Sequence, residues 1–249
     1  MEANSAAEQH AALRRRLEDA GCEVLRLGAS PGLTLDAVYA HDASIVTDEG
    51  AILFRTGKPS RRSEAGAHEA FYRSEGIPIL AALEAPATAE GGDLVWLDPR
   101  TLLVGRGYRT NRAALSRMRE ILRPAGVTVI AAPLPHGAGP SACVHLMSHL
   151  SMLDDSTVLV DRERLAVETV ELLQERGFAL ADILPPERHT LACNVLSLGG
   201  GRLLALEANA GTNCRLADRG FDVRTFPGSQ IALNGGGGPT CLTRPLLRA

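Results

Sequence analysis

Several features are missing from this sequence, and each absence removes a class of function. No apolar run approaches the stretch of about eighteen residues that a membrane-crossing helix requires. The opening Met-Glu-Ala-Asn-Ser-Ala-Ala-Glu has no basic region followed by an apolar one, so a secretory signal is not expected. The five cysteines, at positions 22, 143, 193, 214 and 241, are odd in number, scattered and without a CxxC pair. Neither a disulfide framework nor a structural zinc site is expected from them, and a reduced, cytoplasmic setting is the default. Charge of one sign is also lacking. A formal net charge of -3 leaves no electrostatic footprint for nucleic acid or an anionic membrane. What is present is globular: 45% hydrophobic and 22% charged residues in 249, enough to bury a full core. The chain reads as a single domain over 1–249.

The chain is built on a repeat. Ser5 to Asp19 is a helix by its Ala content and its Leu13/Leu17 pair, and it runs into Gly21-Cys-Glu-Val24. Equivalent endings follow at Gly76-Ile-Pro-Ile79, Gly126-Val-Thr-Val129, Gly177-Phe-Ala-Leu180 and Gly220-Phe-Asp-Val223. The glycines lie 55, 50, 51 and 43 residues apart. Ahead of the last four helices stand pairs of short apolar strands, over 45–54, 94–104, 150–160 and 195–205. They turn through Asp-Glu-Gly, Asp-Pro, Asp-Asp and Gly199-Gly-Gly201, all of which suit hairpins. The unit is strand–turn–strand–helix–Gly–strand, which makes this an α/β repeat architecture. Five helix endings against four hairpins imply a fifth unit assembled from both ends of the chain, closing a ring.

Chemistry-bearing residues recur at one phase of this repeat, just before the first strand of each unit. They are Asp42, Glu90-Gly-Gly-Asp93, His145, Cys193-Asn194 and finally Cys241 after four glycines. Singly, Asp42 reads as a turn acid, Glu90 as loop surface and His145 as a core histidine. In a closed ring of equivalent units they would converge on one pocket. A cysteine with a histidine in reach is an activated nucleophile. Two carboxylates beside it would repel a developing oxyanion, but they suit a planar cation such as a guanidinium, which pairs bidentately with carboxylates.

With these residues the sequence resembles the dimethylargininase branch of the guanidino-modifying superfamily, which also holds arginine deiminases and amidinotransferases. The matching stretches are Asp36-Ala-Val-Tyr-Ala-His-Asp42, Gly57-Lys-Pro-Ser-Arg-Arg62, Glu90-Gly-Gly-Asp93, Arg109-Thr-Asn111, Val144-His-Leu146 and Gly235-Gly-Gly-Gly-Pro-Thr-Cys241. They run in family order from about residue 8 onward. The resemblance implies a five-bladed pseudo-symmetric α/β propeller of ββαβ repeats. It implies Cys241 as nucleophile, His145 as general acid and then base, and Glu90 orienting the histidine or holding guanidinium nitrogens. Asp42 would hold the guanidinium, Asp36 the substrate α-amino group, and Arg61 and Arg109 its carboxylate. No metal or organic cofactor is implied, and the partner is a small guanidino amino acid. A homodimer is compatible with the family. The sequence departs from the pattern at His41, where animal dimethylargininases have a glutamate. It also begins almost at the first helix, where relatives usually carry a strand and a mobile loop that covers the pocket.

Other features read as structural. Cys143 and Cys193 are expected as buried thiols, Trp96 as core, and Gly199-Gly-Gly201 as a hairpin turn without the Lys-Ser/Thr of a phosphate loop. His145 and His149 lack a third metal ligand. Readings that remain open are a deiminase or dihydrolase of free arginine, an amidinotransferase, a catalytically inactive ligand-binding propeller and, remotely, a glycine-loop nucleotide binder.

Overall fold

The computed structural model describes residues 2–247. The chain divides into two compact units. The first comprises Leu27–Met147 with Leu165–Thr169 and Thr243–Ala249; the second comprises Met1–Arg26, Ser148–Arg164 and Val170–Leu242.

Two repeats fall in the first unit. β1 (Ser44–Thr47) and β2 (Gly50–Leu53) form a hairpin, α2 (Glu64–Ser74) follows, and β3 (Ile79–Ala82) returns parallel to β2. β4 (Leu94–Asp98), β5 (Thr101–Arg106), α3 (Arg112–Leu122) and β6 (Thr128–Pro133) repeat the pattern. The second hairpin strand is thus the middle of each sheet. That explains its unbroken apolar run: Leu102, Leu103 and Val104 are covered on both faces. The core of this unit joins Ile45, Ile52 and Phe54 to Leu94, Leu102, Val104, Leu115, Met118 and Leu122. Each such side chain stabilises the fold by about 1.5–3 kcal/mol on burial. Asn111 starts α3 by accepting from Ala114 N at 3.0 Å, which satisfies one of the free N–H groups of the first turn.

The same motif occurs twice more, in the second unit apart from the first turn of its first helix. β7 (Leu150–Met152), β8 (Thr157–Val160), α4 (Val167–Glu175) and β9 (Ala179–Asp182) are followed by β10 (Leu196–Ser197), β11 (Arg202–Leu206), α5 (Ala210–Asp218) and β12 (Asp222–Phe226). Gly199-Gly-Gly201 forms the last hairpin turn. Among the described residues there are four three-stranded sheets, so the fold is α/β, with mixed sheets in repeated units. The helix-ending glycine is left-handed at all five positions, Gly21, Gly76, Gly126, Gly177 and Gly220, a conformation that costs other residues.

One expected strand is absent. After Gly21, residues 22–30 carry no strand. In the other four units the exit strand pairs with the hairpin strand upstream of its own helix, whereas α1 spans Ala3–Asp19 and is followed by irregular chain. The first helix is instead bound to the C-terminal part of its unit. Gln9 accepts from Gln230 N at 2.8 Å and Ile231 N at 3.1 Å and donates to Ser229 Oγ at 2.9 Å.

Candidate active site

In the first unit Asp42 stands two residues before β1, Glu90 leads into the short 3-10 turn Gly91–Asp93 that opens β4, and His145 precedes the turn Leu146–Ser148. The repeat phase therefore places each functional side chain at the mouth of a strand. All three are buried, and Glu90 is fully covered.

His145 Nε2 lies 2.8 Å from Glu90 Oε2, and its Nδ1 lies 3.9 Å from Asp42 Oδ1. Glu90 is itself tightly held. Its Oε1 accepts from Lys58 N at 2.9 Å, its backbone N donates to Thr110 Oγ1 at 3.1 Å, and Arg109 Nη1 reaches both carboxylate oxygens at 3.2 and 3.3 Å. Burial would raise the Glu90 carboxyl, but the hydrogen bond and charge of His145, then Arg109 and the Lys58 N–H, hold it down at about 2. For His145, burial disfavours the charged ring. The Asp42 carboxylate, the Cys143 sulfur and the Asp93 carboxyl outweigh it and keep the imidazole protonated well above its ordinary range. Asp93 supports the loop, its Oδ1 accepting from Leu146 N at 2.9 Å, and burial pushes its carboxyl up to about 6. Gly92 is required for this packing: a Cβ there would stand 2.4 Å from His145 Nδ1. A buried imidazolium between carboxylates is a proton donor held ready at neutral pH.

Asp42 has two further partners. Its Oδ1 accepts from Gly92 N at 3.0 Å, and its Oδ2 meets Arg61 Nη1 at 2.6 Å. Arg61 also grips Glu64 with Nε at 2.7 Å and Nη2 at 2.8 Å, and donates to Tyr39 O at 2.9 Å. Burial would raise Asp42, while His145 and then Arg61 bring its carboxyl below the usual range. The resemblance implies a carboxylate receptor at Arg61; the structure places its guanidinium as the buried clasp between Asp42 and Glu64. Asp36 is half-exposed and bears Lys58 Nζ at 2.5 Å. His41 is buried, with Nδ1 2.8 Å from Thr243 O, and its carbonyl accepts from Arg244 Nη2.

Cys241 lies in the second unit and is partly exposed. Asn194 holds it from both sides of the residue: Nδ2 donates to Cys241 Sγ at 3.1 Å, while Oδ1 accepts from Thr240 N at 3.0 Å. Gly238 allows this approach, since a Cβ there would fall 2.6 Å from Asn194 Oδ1. Cys193 is buried and its thiol is pushed up by burial, so it is inert. Cys143 is a correction: it is exposed, not buried, because residues 134–145 form an irregular surface segment with no strand to turn alternate side chains inward.

The structure brings together Asp42, Glu90, His145, Arg61 and Arg109 in the first unit. Sequence reasoning missed the Lys58 N–H, Thr110, Glu64, Gly92 and Cys143 around them. It reached Asn194 only as a position at the right repeat phase, without a role. Glu90, Cys143 and His145 form the group of donors that could hold a metal ion among the described residues, their ligand atoms lying within 4.8 Å of one another.

The arginine deiminase family model matches residues 36–183 and 184–248. An uncharacterized protein, YkgA, of Bacillus subtilis is 28% identical over 244 residues, covering 98% of this chain and 81% of the relative. An N(G),N(G)-dimethylarginine dimethylaminohydrolase of Streptomyces coelicolor is 35% identical over 188 residues, covering 75% and 66% of the two chains. Among solved structures, a mutant DDAH from Pseudomonas aeruginosa complexed with citrulline superposes with a TM-score of 0.77 at 26% identity, covering 94% of this chain and 86% of that one. The protein belongs to the arginine deiminase family, in the branch of guanidino-modifying enzymes that it shares with the dimethylargininases.

Proposed function

We propose that the chain is a cysteine-dependent hydrolase that converts Nω-methylated L-arginine to L-citrulline, releasing methylamine or dimethylamine. The observation that carries the reading is the buried His145 imidazolium, hydrogen-bonded to Glu90 and flanked by Asp42. It is a proton donor among carboxylates, the environment that departure of an amine from a cationic guanidinium calls for.

In this mechanism Cys241 Sγ bonds to the guanidinium carbon and gives a tetrahedral adduct. The bond from that carbon to the substituted nitrogen breaks as His145 gives the nitrogen its proton, leaving an S-alkylthiouronium. His145, now neutral, takes a proton from water; the hydroxide adds to the same carbon, the C–S bond breaks to restore the thiolate, and the hydroxyl proton of the adduct passes to solvent, where the released amine takes it up, leaving the neutral ureido group of citrulline. Asn194 Nδ2 steadies the sulfur. Asp42 and Glu90 face the guanidinium, Arg109 receives the α-carboxylate, and Asp36 receives the α-ammonium in exchange for Lys58 Nζ. Arg61 acts by fixing Asp42. None of these steps needs a metal.

A second reading, a deiminase or dihydrolase of free L-arginine, is favoured by the family model itself. The deciding assay measures citrulline, amine and ammonia from dimethylarginine and from arginine, with wild type and Cys241→Ser. Amine release from dimethylarginine that disappears in the serine variant is the expected result. Ammonia from arginine alone would establish the second reading, and full turnover by Cys241→Ser would end both.

A further inference from the structure

Asn194, the partner of Cys241, ends a loop that carries the one left-handed residue other than glycine among the described residues. That residue is Leu191, with φ 63° and ψ 36°. A residue with a Cβ enters this region at a steric cost, and such conformations persist where the surroundings fix them, clustering at functional sites. The five helix-ending glycines use the region without that cost. We propose that Leu191 is a positioning residue for Cys241: its left-handed turn, locked on both sides, aims Asn194 at the sulfur. The proposal rests on the reading of Cys241 as nucleophile.

The locks all lie within the second unit. Ahead of Leu191, the Glu187 carboxylate accepts from Gly211 N and Thr212 N, both at 2.8 Å, at the start of α5. Arg188 donates to the buried Asp161, Nη2 to Oδ1 at 2.8 Å and Nε to Oδ2. Thr190 Oγ1 donates to Asn209 Oδ1 at 2.6 Å, and Asn209 Nδ2 donates back to the Thr190 carbonyl at 3.0 Å. Beyond Leu191, the Cys193 carbonyl accepts from Ser151 Oγ at 2.6 Å.

Between these anchors the Leu191 carbonyl accepts from Asn194 N at 2.9 Å, which ties the backbone of Asn194 to the left-handed residue. The Asn194 side chain then meets Cys241 Sγ at 3.1 Å and Thr240 N at 3.0 Å. A change of φ and ψ at residue 191 swings everything beyond it, so Asn194 would leave the sulfur. A donor on the sulfur favours the thiolate, and its loss makes the thiol less acidic and slower to react.

The test measures alkylation of Cys241 by iodoacetamide in the full chain from pH 5 to 9, read by mass spectrometry of the Cys241 peptide. Reading by peptide separates Cys241 from the exposed Cys143 and Cys214. Leu191 is replaced by Gly, Asn and Val. Glycine and asparagine enter the left-handed region readily, and a β-branched residue does not. Leu191→Gly and Leu191→Asn are expected to react at least about fivefold faster than Leu191→Val at pH 7. The midpoint of the pH profile should rise in Leu191→Val toward that of Asn194→Ala. Adding Asn194→Ala to Leu191→Val should slow the reaction no further, because both remove one contact. If the half-buried leucine side chain acted only by packing, the order would reverse, with valine retained best. That order would overturn the proposal, as would additive effects of the two substitutions or a wild-type profile in Leu191→Val. Circular dichroism checks each fold. Should Leu191→Val not fold, Leu191→Ala takes its place, since alanine also pays the Cβ cost and is expected to fall behind glycine and asparagine. Alkylation needs no turnover, so its outcome stands apart from the hydrolase assay.

Discussion

Replacing Arg61 with Met keeps most of the apolar stem and removes the guanidinium that joins Asp42 to Glu64. Both carboxylates are buried, at 4% and 1% exposure. Removing one partner of a buried ion pair costs about 3–5 kcal/mol, because the charge left behind has lost its compensation. Asp42 retains the Gly92 N–H, so the lower figure of about 3 kcal/mol applies. At roughly 2–4 °C per kcal/mol for a chain of this size, the melting temperature should fall by about 6–12 °C near neutral pH.

The loss should depend on pH with a definite sign. In the wild type the Asp42 carboxyl is held low, so its contribution is present above the unfolded value near 3.9 and is lost as pH falls through the folded one. Glu64 is already raised by burial even with Arg61 in place. In the variant both carboxyls move upward, and the folded state takes up protons that neutralise them. The destabilisation is then greatest at high pH and shrinks as pH falls through the raised values. Thermal melts at pH 8, 6.5 and 5 should show the gap between wild type and Arg61→Met narrowing. A variant that melts within a degree or two of wild type at pH 8, with only a raised KM, would refute this reasoning. Arg61 would then be the substrate-carboxylate receptor that the resemblance implies.

Glu90→Gln keeps a hydrogen-bond partner for His145 but removes a neighbouring negative charge, so the His145 pKa should fall. The alkaline limb of kcat/KM, where the proton donor is lost, should move down by the same amount; an unmoved limb means that Glu90 does not set the proton affinity of His145. Gly92→Ala places a methyl group against the His145 ring and should lower citrulline formation by about a hundredfold through displacement of the ring. Wild-type turnover in that variant would mean the loop yields without cost. Asn194→Ala removes a donor to Cys241 Sγ worth about 1.5–3 kcal/mol when the sulfur is charged. Alkylation of Cys241 at neutral pH should slow roughly tenfold to a hundredfold, and an unchanged rate would remove Asn194 from the mechanism.

How much of this was legible in advance divides along a physical line. Turn chemistry, helix-ending glycines and the alternation of hairpin and helix are local properties, written within a few residues of where they act. For that reason the four ββαβ units, the left-handed glycines and the positions of Asp42, Glu90 and His145 ahead of the hairpins can all be read from the sequence. The strand expected after Gly21 failed because a strand is not a local object: it exists only where another strand accepts its hydrogen bonds. The same reason separates the side chains. That Arg61 closes on Asp42 and Glu64, that the Lys58 N–H fixes Glu90, and that Asn194 reaches Cys241 across 47 residues of sequence are pairings through space between segments with no shared local signal. Cys143 is the plainest case. It was expected as a buried thiol, and only the course of the chain around His145 decided that the residue is exposed. By itself the sequence determined the repeat and the chemical inventory; tertiary structure decided which charges neutralise one another, because burial makes an unpartnered charge too costly to leave in place.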